Sequence, residues 1–119
     1  MVDDEPHIGV LLQLQLAEYG CELTIARTLE QARSALAGPP VPDAMLLDVH
    51  LPDGSGLEWL AELRREAATR ALPVLVLTAE GDEGLLRTTR ALGSGLVTKP
   101  FSPSKLVTRV LEMLGGTPV

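Results

Sequence analysis

The stretch Ala44-Met45-Leu46-Leu47-Asp48 is a short apolar run that ends on an acidic residue. The run Val74-Leu75-Val76-Leu77 ends in the same way on Thr78, and Leu96-Val97-Thr98 leads to Lys99. Short apolar runs separated by longer helical patterns are typical of buried parallel strands. Parallel strands end at a common edge of their sheet, where open α/β sheets bind ligands. We therefore predict that the three polar residues converge at one edge.

Helical spacing fills the segments between these runs. It predicts helices over about residues 6–19, 29–37, 57–67, 82–92 and 103–114, with a further short strand over residues 22–26. Asp4 is the expected N-cap of the first helix and Thr28 that of the second, because both side chains accept hydrogen bonds from helix N–H groups. The chain is therefore predicted to be one α/β domain over residues 1–114, a (βα) repeat that ends on a helix. Residues 115–119 are expected to form a C-terminal tail or a linker stub.

Composition narrows the class of protein. A chain of 119 residues with one Phe, one Trp and one Tyr must build a single core from aliphatic side chains. The net charge of −6 and the lack of a basic cluster argue against direct binding to nucleic acid. No apolar stretch approaches the roughly 20 residues that span a bilayer. Cys21 is the single cysteine, so an internal disulfide and a Cys-based metal site are both excluded. A soluble cytoplasmic protein is expected.

An acidic pair, Asp3 and Asp4, precedes the first helix and adds two carboxylates to the predicted edge. Three carboxylates, a hydroxyl and an ammonium group can hold a divalent cation and a phosphoryl group. Oxygen ligands of this kind fit Mg²⁺ or Mn²⁺ better than Zn²⁺. Without a cation the carboxylates repel one another, so the pKa of at least one of them should rise.

Four segments together resemble response-regulator receiver domains. They are Val2-Asp3-Asp4-Glu5, Leu47-Asp48-Val49-His50-Leu51-Pro52-Asp53-Gly54, Leu77-Thr78-Ala79 and Thr98-Lys99-Pro100-Phe101. Their order and intervals match that family over essentially the whole chain. The resemblance implies a doubly wound, flavodoxin-like parallel sheet of strand order 2-1-3-4-5, flanked by helices. It also implies a phosphoacceptor domain rather than an enzyme, whose partner is a sensor histidine kinase or a phosphotransfer protein.

The resemblance assigns a role to each motif residue. Asp48 would accept the phosphoryl group, and Thr78 and Lys99 would contact its oxygens. Asp4 would bind Mg²⁺ directly and Asp3 through water, with Asp48 and the backbone carbonyl of His50 as further ligands. The imidazoles of His7 and His50 are expected to face solvent, and the glycines after Asp53 to serve turn geometry. The family usually has a cis Lys-Pro bond, which here would be Lys99-Pro100.

The chain departs from the family pattern at two places. Leu96 stands where receivers usually carry an aromatic residue that turns inward on phosphorylation. The resemblance implies that the face made by the fourth helix, the last strand and the last helix changes its partner affinity on phosphorylation. We expect Leu96 to alter the coupling between phosphorylation and this change. The first strand is truncated, since two residues precede Asp3. We expect either a wrongly placed start, a preceding stretch of chain, or a strand taken from another chain.

Alternatives remain open from the sequence alone. Asp3 and Asp4 could only cap the first helix, Asp48 could be a turn residue, Thr78 a strand-end cap, and Lys99 a surface charge or part of a structural ion pair. The domain could be a degenerate receiver that serves as a protein-interaction module without phosphorylation. A phosphohydrolase of the haloacid-dehalogenase kind is disfavoured, because Asp48-Val49-His50 lacks the second acid of the Asp-x-Asp motif. The downstream effector stays unidentified, and homodimerisation is left open.

Overall fold

The computed structural model describes residues 1–79, 83–99 and 102–115 as a three-layer α/β domain. A parallel sheet lies between two layers of helices, as predicted. The helices are α1 (Pro6–Ala17), α2 (Leu29–Ala37), α3 (Gly56–Arg65), α4 (Glu83–Ala91) and α5 (Pro103–Met113). The strands are β1 (Met45–Asp48), β2 (His50–Leu51), β3 (Gly54–Ser55), β4 (Val74–Thr78) and β5 (Gly95–Thr98).

The parallel sheet contains β1, β4 and β5, with β4 in the middle. Asp48 on β1 is level with Leu77 on β4, and Thr78 is level with Thr98 on β5. The backbone N–H of Lys99 then donates to the Thr78 carbonyl at 2.6 Å. This register brings the polar ends of all three strands to one edge, as the sequence predicted.

Val2 continues the sheet on the far side of β1. It forms single parallel bridges to Leu47 and to Ala26. Its N–H donates to the carbonyl of Leu46 at 2.7 Å, and its carbonyl accepts from the N–H of Asp48 at 2.9 Å. The order across the sheet is therefore Ala26, Val2, β1, β4, β5. This is the expected 2-1-3-4-5 order, with its first two strands each reduced to a single bridged residue, Val2 and Ala26.

The strand predicted over residues 22–26 is wrong for most of its length, because Ala26 alone forms a bridge. A ladder needs a neighbouring strand, and the segment alongside runs only from Met1 to Asp3. Three hydrogen bonds join the two segments: the Met1 ammonium group donates to the Thr24 carbonyl at 2.7 Å, the Ala26 N–H donates to the Met1 carbonyl at 2.8 Å, and the Asp3 N–H donates to the Ala26 carbonyl at 2.9 Å. The first strand is reduced to the bridges that Val2 makes.

The helix caps agree with the sequence at α2 and differ from it at α1. Thr28 caps α2, its hydroxyl accepting from the N–H of Gln31 at 3.0 Å. The N-cap of α1 is Glu5 and not Asp4, because the helix begins with Pro6, whose fixed φ suits the first helical position. Asp3 accepts the N–H of Glu5 instead, at 2.9 Å. The predicted start of α4 at Asp82 and the Lys99-Pro100 bond lie outside the described residues.

The core lies on both faces of the sheet. On one face α2 and α3 cover the sheet with Leu29, Ala32, Trp59, Leu60 and Leu63. On the other face α1 and α5 cover it with Leu12, Leu16, Leu106, Val107, Val110 and Leu111. Aliphatic side chains dominate both clusters, as the composition required. Among the described residues, no helix is long and apolar enough to cross a membrane.

Candidate functional site

Asp48 is the last residue of β1 and has a side chain that is almost fully buried. Each residue of β1 is buried, so the strand fixes the direction in which this carboxylate leaves the sheet. Its Oδ1 accepts the N–H of His50 at 3.3 Å, and its Oδ2 contacts the Lys99 Nζ at 3.0 Å. The interpretation of Asp48 as an ordinary turn residue does not account for a buried acid paired with a half-buried ammonium group.

Asp3 and Asp4 reach the same edge because Val2 runs beside β1. Asp3 is 2% exposed and Asp4 is exposed. Ligand oxygens of Asp3, Asp4 and Asp48 all lie within 4.8 Å of one another. The predicted trio of carboxylates is therefore brought together, with Asp4 on its solvent side. Because Asp4 does not cap α1, its carboxylate is not committed to the helix.

Lys99 faces two of the three acids. Its Nζ lies 3.0 Å from Asp48 Oδ2 and 3.6 Å from Asp3 Oδ2, and its side chain is 23% exposed. These contacts exclude the reading of Lys99 as a plain surface charge. Thr78 is buried at the end of β4, beside the backbone that carries Lys99. The hydroxyl and the ammonium group thus belong to neighbouring strand ends at the edge that holds the acids.

The charges perturb one another in the direction that the sequence predicted. Burial raises the pKa of Asp3, and the charges of Asp48 and Asp4 add to this, while the Glu5 N–H and Lys99 oppose it. Burial alone would lower the pKa of Lys99, but its hydrogen bond to Asp48 and the charge of Asp3 outweigh burial and raise it. The site therefore holds more negative charge than Lys99 alone can balance.

This donor set fits a hard divalent cation. Carboxylate oxygens at this separation can share one ion, and Mg²⁺ commonly uses one or two carboxylates together with waters. The exposed Asp4 gives solvent access to the cluster. A cation would also remove the repulsion from Asp48 and Asp4 that adds to the effect of burial on the pKa of Asp3. The cluster contains no Cys or His, which disfavours Zn²⁺.

The short hairpin after Asp48 brings the chain back to the site. β2 and β3 pair in an antiparallel manner, with His50 opposite Ser55. The N–H of Gly56 donates to the Val49 carbonyl at 2.8 Å, and a Cβ at Gly56 would overlap the Asp48 carbonyl. Gly54 has φ of 152°, as the turn-geometry prediction required, whereas Gly56 is needed for this close approach. His7 and His50 are exposed, as predicted.

One residue of this hairpin carries contacts that the sequence did not reveal. Asp53 accepts the N–H groups of Leu29 and Glu30 at the start of α2, at 2.8 and 3.0 Å. In the sequence it looks like a turn residue between Pro52 and Gly54. Its partners lie 24 and 23 positions away, so no local spacing rule could have found them.

Comparison with known proteins identifies the family. Residues 1–111 match the family described as the response regulator receiver domain. The chain is 40% identical over 115 residues to the phosphate regulon transcriptional regulatory protein PhoB of Klebsiella pneumoniae, and 40% identical over 120 residues to the probable transcriptional regulatory protein TcrX of Mycobacterium tuberculosis. These alignments cover 96% and 100% of this chain and 50% of each relative. The chain thus spans about half the length of these curated relatives.

Solved structures give the same result. The non-phosphorylated receiver domain of HemR from Leptospira biflexa matches with a TM-score of 0.82 and 28% identity, over 99% of this chain and 94% of that one. The BeF3-activated receiver domain of DrrB, a Thermotoga maritima OmpR/PhoB homolog, matches with a TM-score of 0.78 and 26% identity, over 96% and 93%. With the matching fold and the acidic edge already described, these findings show that the chain belongs to the response regulator receiver domain family.

Proposed function

We propose that Asp48 accepts a phosphoryl group from a phosphohistidine of a sensor kinase or a phosphotransfer protein. The observation that supports this proposal is the environment of the Asp48 carboxylate. It is a buried carboxylate with an ammonium group at 3.0 Å and two further carboxylates within 4.8 Å. Such a site can balance the charge of an incoming phosphoryl group once a cation is present.

Asp3, Asp4 and Asp48, with the backbone carbonyl of His50, are the proposed ligands of Mg²⁺ or Mn²⁺. When bound, the cation supplies positive charge to the phosphoryl oxygens and offsets the repulsion between the acids. Asp4 would bind directly and Asp3 through water. The exposure of Asp4 and the raised pKa of Asp3 support this division, because Asp3 is the acid that burial makes costly to ionise.

The transfer moves one phosphoryl group and leaves the atoms balanced. An oxygen of Asp48 attacks phosphorus, and the new O–P bond forms as the N–P bond of the donor breaks. The electrons of the broken bond return to the imidazole nitrogen of the donor. Lys99, which is paired with Asp48 beforehand, then faces the phosphoryl oxygens, and the hydroxyl of Thr78 is proposed to contact them as well.

The acyl phosphate would carry about −1.5 to −2 charges in place of the single negative charge of the free Asp48 carboxylate, so phosphorylation would add up to about one negative charge at this edge and bias the surface beyond it. We propose that the face of α4, β5 and α5 changes its partner affinity in response. Leu96 on β5 is half-buried and packs against the cluster that contains Trp59. It offers less bulk than the aromatic residue usual at this position, so the amplitude of the change is expected to differ from that of typical receivers.

The biological output is a proposal taken from the relatives. PhoB and TcrX are named as transcriptional regulatory proteins, and this chain corresponds to half of each. We propose a role in transcriptional control through an effector that this domain regulates. Direct contact with nucleic acid by this domain is not expected, given the net charge of −6. A cytoplasmic location stays a prediction.

The test is modification by acetyl phosphate in the presence of Mg²⁺, followed by intact mass. The wild-type protein should gain one phosphoryl group, and a metal chelator should prevent the gain. Asp48→Asn should gain none. Asp43→Asn removes an exposed carboxylate before β1, at the other end of the same strand, and should behave like the wild type.

Two other outcomes would contradict the proposal. A wild-type protein that remains unmodified, also with a phosphorylated kinase, would favour an interaction module without phosphorylation. Steady release of phosphate from many phosphate esters would favour a hydrolase. The hydrolase reading is already weakened, because Val49 and His50 supply no second acid next to Asp48.

A further inference from the structure

The hairpin that follows Asp48 is bonded to a helix on the same face of the sheet. Asp53 lies in its turn, between β2 and β3. Asp53 Oδ1 accepts the N–H of Leu29 at 2.8 Å, and Oδ2 accepts the N–H of Glu30 at 3.0 Å. Both oxygens of one carboxylate are therefore used on the first two residues of α2. The contact joins segments that are more than 20 positions apart in the chain.

Two residues share the capping of α2, and they come from different parts of the fold. The first N–H groups of a helix lack partners within it, and negative charge is favourable there. Thr28 satisfies the N–H of Gln31 from within the local chain, whereas Asp53 satisfies the first two from the hairpin. The Leu29 N–H lowers the pKa of Asp53, which keeps this carboxylate ionised for the contact.

The hairpin is short, so the attachment of Asp53 to α2 also restricts the movement of His50 beside the acidic site. His50 is paired with Ser55 across the hairpin, and the Gly56 N–H returns to the Val49 carbonyl at 2.8 Å. The N–H of His50 in turn donates to Asp48 Oδ1. The segment that begins at Asp48 is therefore attached to the N-terminus of α2 through Asp53. Leu29 also lies close to Gly54 and adds an apolar contact at the same place.

We propose that Asp53 is a positioning residue for the metal site, and that it holds the carbonyl of His50 in place by bonding the hairpin to the N-terminus of α2. The inference rests on the proposed function, in which that carbonyl is a ligand of Mg²⁺. Without the two bonds the hairpin turn loses the hydrogen bonds that attach it to the N-terminus of α2, while its short ladder and the Leu29 contact remain. The carbonyl then samples more orientations, and the ion is held less tightly.

The test is the affinity for Mg²⁺ of the full chain, followed by calorimetry and by the fluorescence of the buried Trp59. Asp53→Ala should weaken binding by about 10-fold, the lower end of the range for residues that orient metal ligands. Asp53→Asn keeps one acceptor oxygen and should lie between Asp53→Ala and the wild type. Thr28→Ala is the matched control, because it removes a cap from the same helix without touching the hairpin. It should lower the free energy of unfolding and leave Mg²⁺ affinity close to that of the wild type.

The outcomes separate this inference from the proposed function. If the wild type binds Mg²⁺ and Asp53→Ala binds it equally well, the positioning role is overturned and the metal site stands. If Thr28→Ala weakens binding as much as Asp53→Ala does, the effect comes from the stability of α2, and the positioning role is again overturned. If the wild type binds neither Mg²⁺ nor Mn²⁺, the metal site and the inference fail together.

Discussion

Two regions of the domain, on either side of the site, are packed very differently. We call β1, the β2–β3 hairpin, α3 and β4 the acceptor half, and α4 with β5 the response half. Every residue of β1 and β4 is buried, whereas β5 has three half-buried residues and an exposed one. Among the described residues, α3 buries Gly56, Trp59, Leu60 and Leu63, while α4 buries Thr89 alone.

This difference matches the proposed division of labour. A phosphoacceptor needs a fixed carboxylate, and the buried strand and its hairpin supply one. A surface that responds needs alternative arrangements separated by a few kcal/mol, which half-buried elements can provide. Lys99 follows β5 and pairs with Asp48 at the end of β1. It is therefore the direct electrostatic link from one half to the other.

The largest expected effect compares two leucines that lie on neighbouring strands. Leu75 on β4 is fully buried and Leu96 on β5 is half-buried. Leu75→Ala should lower the free energy of unfolding by about 2–5 kcal/mol, because it leaves a cavity in the core. Leu96→Ala should cost about half as much, since less apolar area is lost. Urea unfolding measures both, and equal losses would contradict the contrast between the halves.

A glycine in the acceptor half should be the next most sensitive position. A Cβ at Gly56 would overlap the Asp48 carbonyl, so Gly56→Ala must displace the acceptor strand or the start of α3. We expect a loss of about 1–3 kcal/mol, despite the better helix propensity of alanine. Gly38→Ala is the control, since Gly38 has φ of −112° and open space around it. It should be neutral or slightly stabilising, and urea unfolding that ranked the two variants the other way would refute this account.

An arginine that secures the end of α4 gives a smaller effect. Arg64 Nε donates to the Leu92 carbonyl at 2.6 Å, and its Nη1 donates to the Leu72 carbonyl at 2.7 Å. Arg64→Met keeps most of the apolar stem and leaves these carbonyls without their donor, which should cost about 1–2 kcal/mol. Arg65→Met changes the neighbouring, exposed arginine and should cost much less. Thermal unfolding of the two variants measures whether the hydrogen bonds of Arg64 stabilise the domain. Equal losses in the two variants would show that they do not.

The smallest effect concerns the pH dependence of the metal-free protein. Burial raises the pKa of Asp3 in the folded state. At a pH between the ordinary aspartate pKa and this raised pKa, the folded protein therefore holds a proton that the unfolded chain has already released. Stability should therefore fall as the pH rises from the ordinary aspartate pKa through the raised value. Asp3→Asn should be more stable than the wild type at pH 8 without a divalent cation, and lose this advantage near pH 4. Saturating Mg²⁺ should favour the wild type instead. A difference in urea midpoints between the two proteins that is independent of pH would show that the pKa of Asp3 is not raised in the folded state.

Much of the fold and the site could be predicted from the sequence because both follow local patterns. Apolar runs that end on Asp48 and Thr78 predict strands and the edge where they meet. The single-bridge strand at Ala26 was not predictable, because its residues alternate suitably and only the neighbouring chain decides how far a ladder extends. Asp53 and Arg64 were missed for a related reason. Asp53 bonds to the start of α2 and Arg64 bonds to Leu92, which are backbone groups of distant segments, and a backbone group leaves no signature in the sequence.

Hydrogen exchange with and without beryllofluoride, both in Mg²⁺, can show whether the response half changes while the acceptor half stays fixed. Beryllofluoride would stand in for the phosphoryl group that we propose Asp48 accepts, and hydrogen exchange reports the opening of each segment separately. We predict that exchange changes in residues 83–98 while β1 and β4 stay slow in both states, and that Asp48→Asn shows no change anywhere. A response centred on residues 45–48 and 74–78, with residues 83–98 unaffected, would contradict the account.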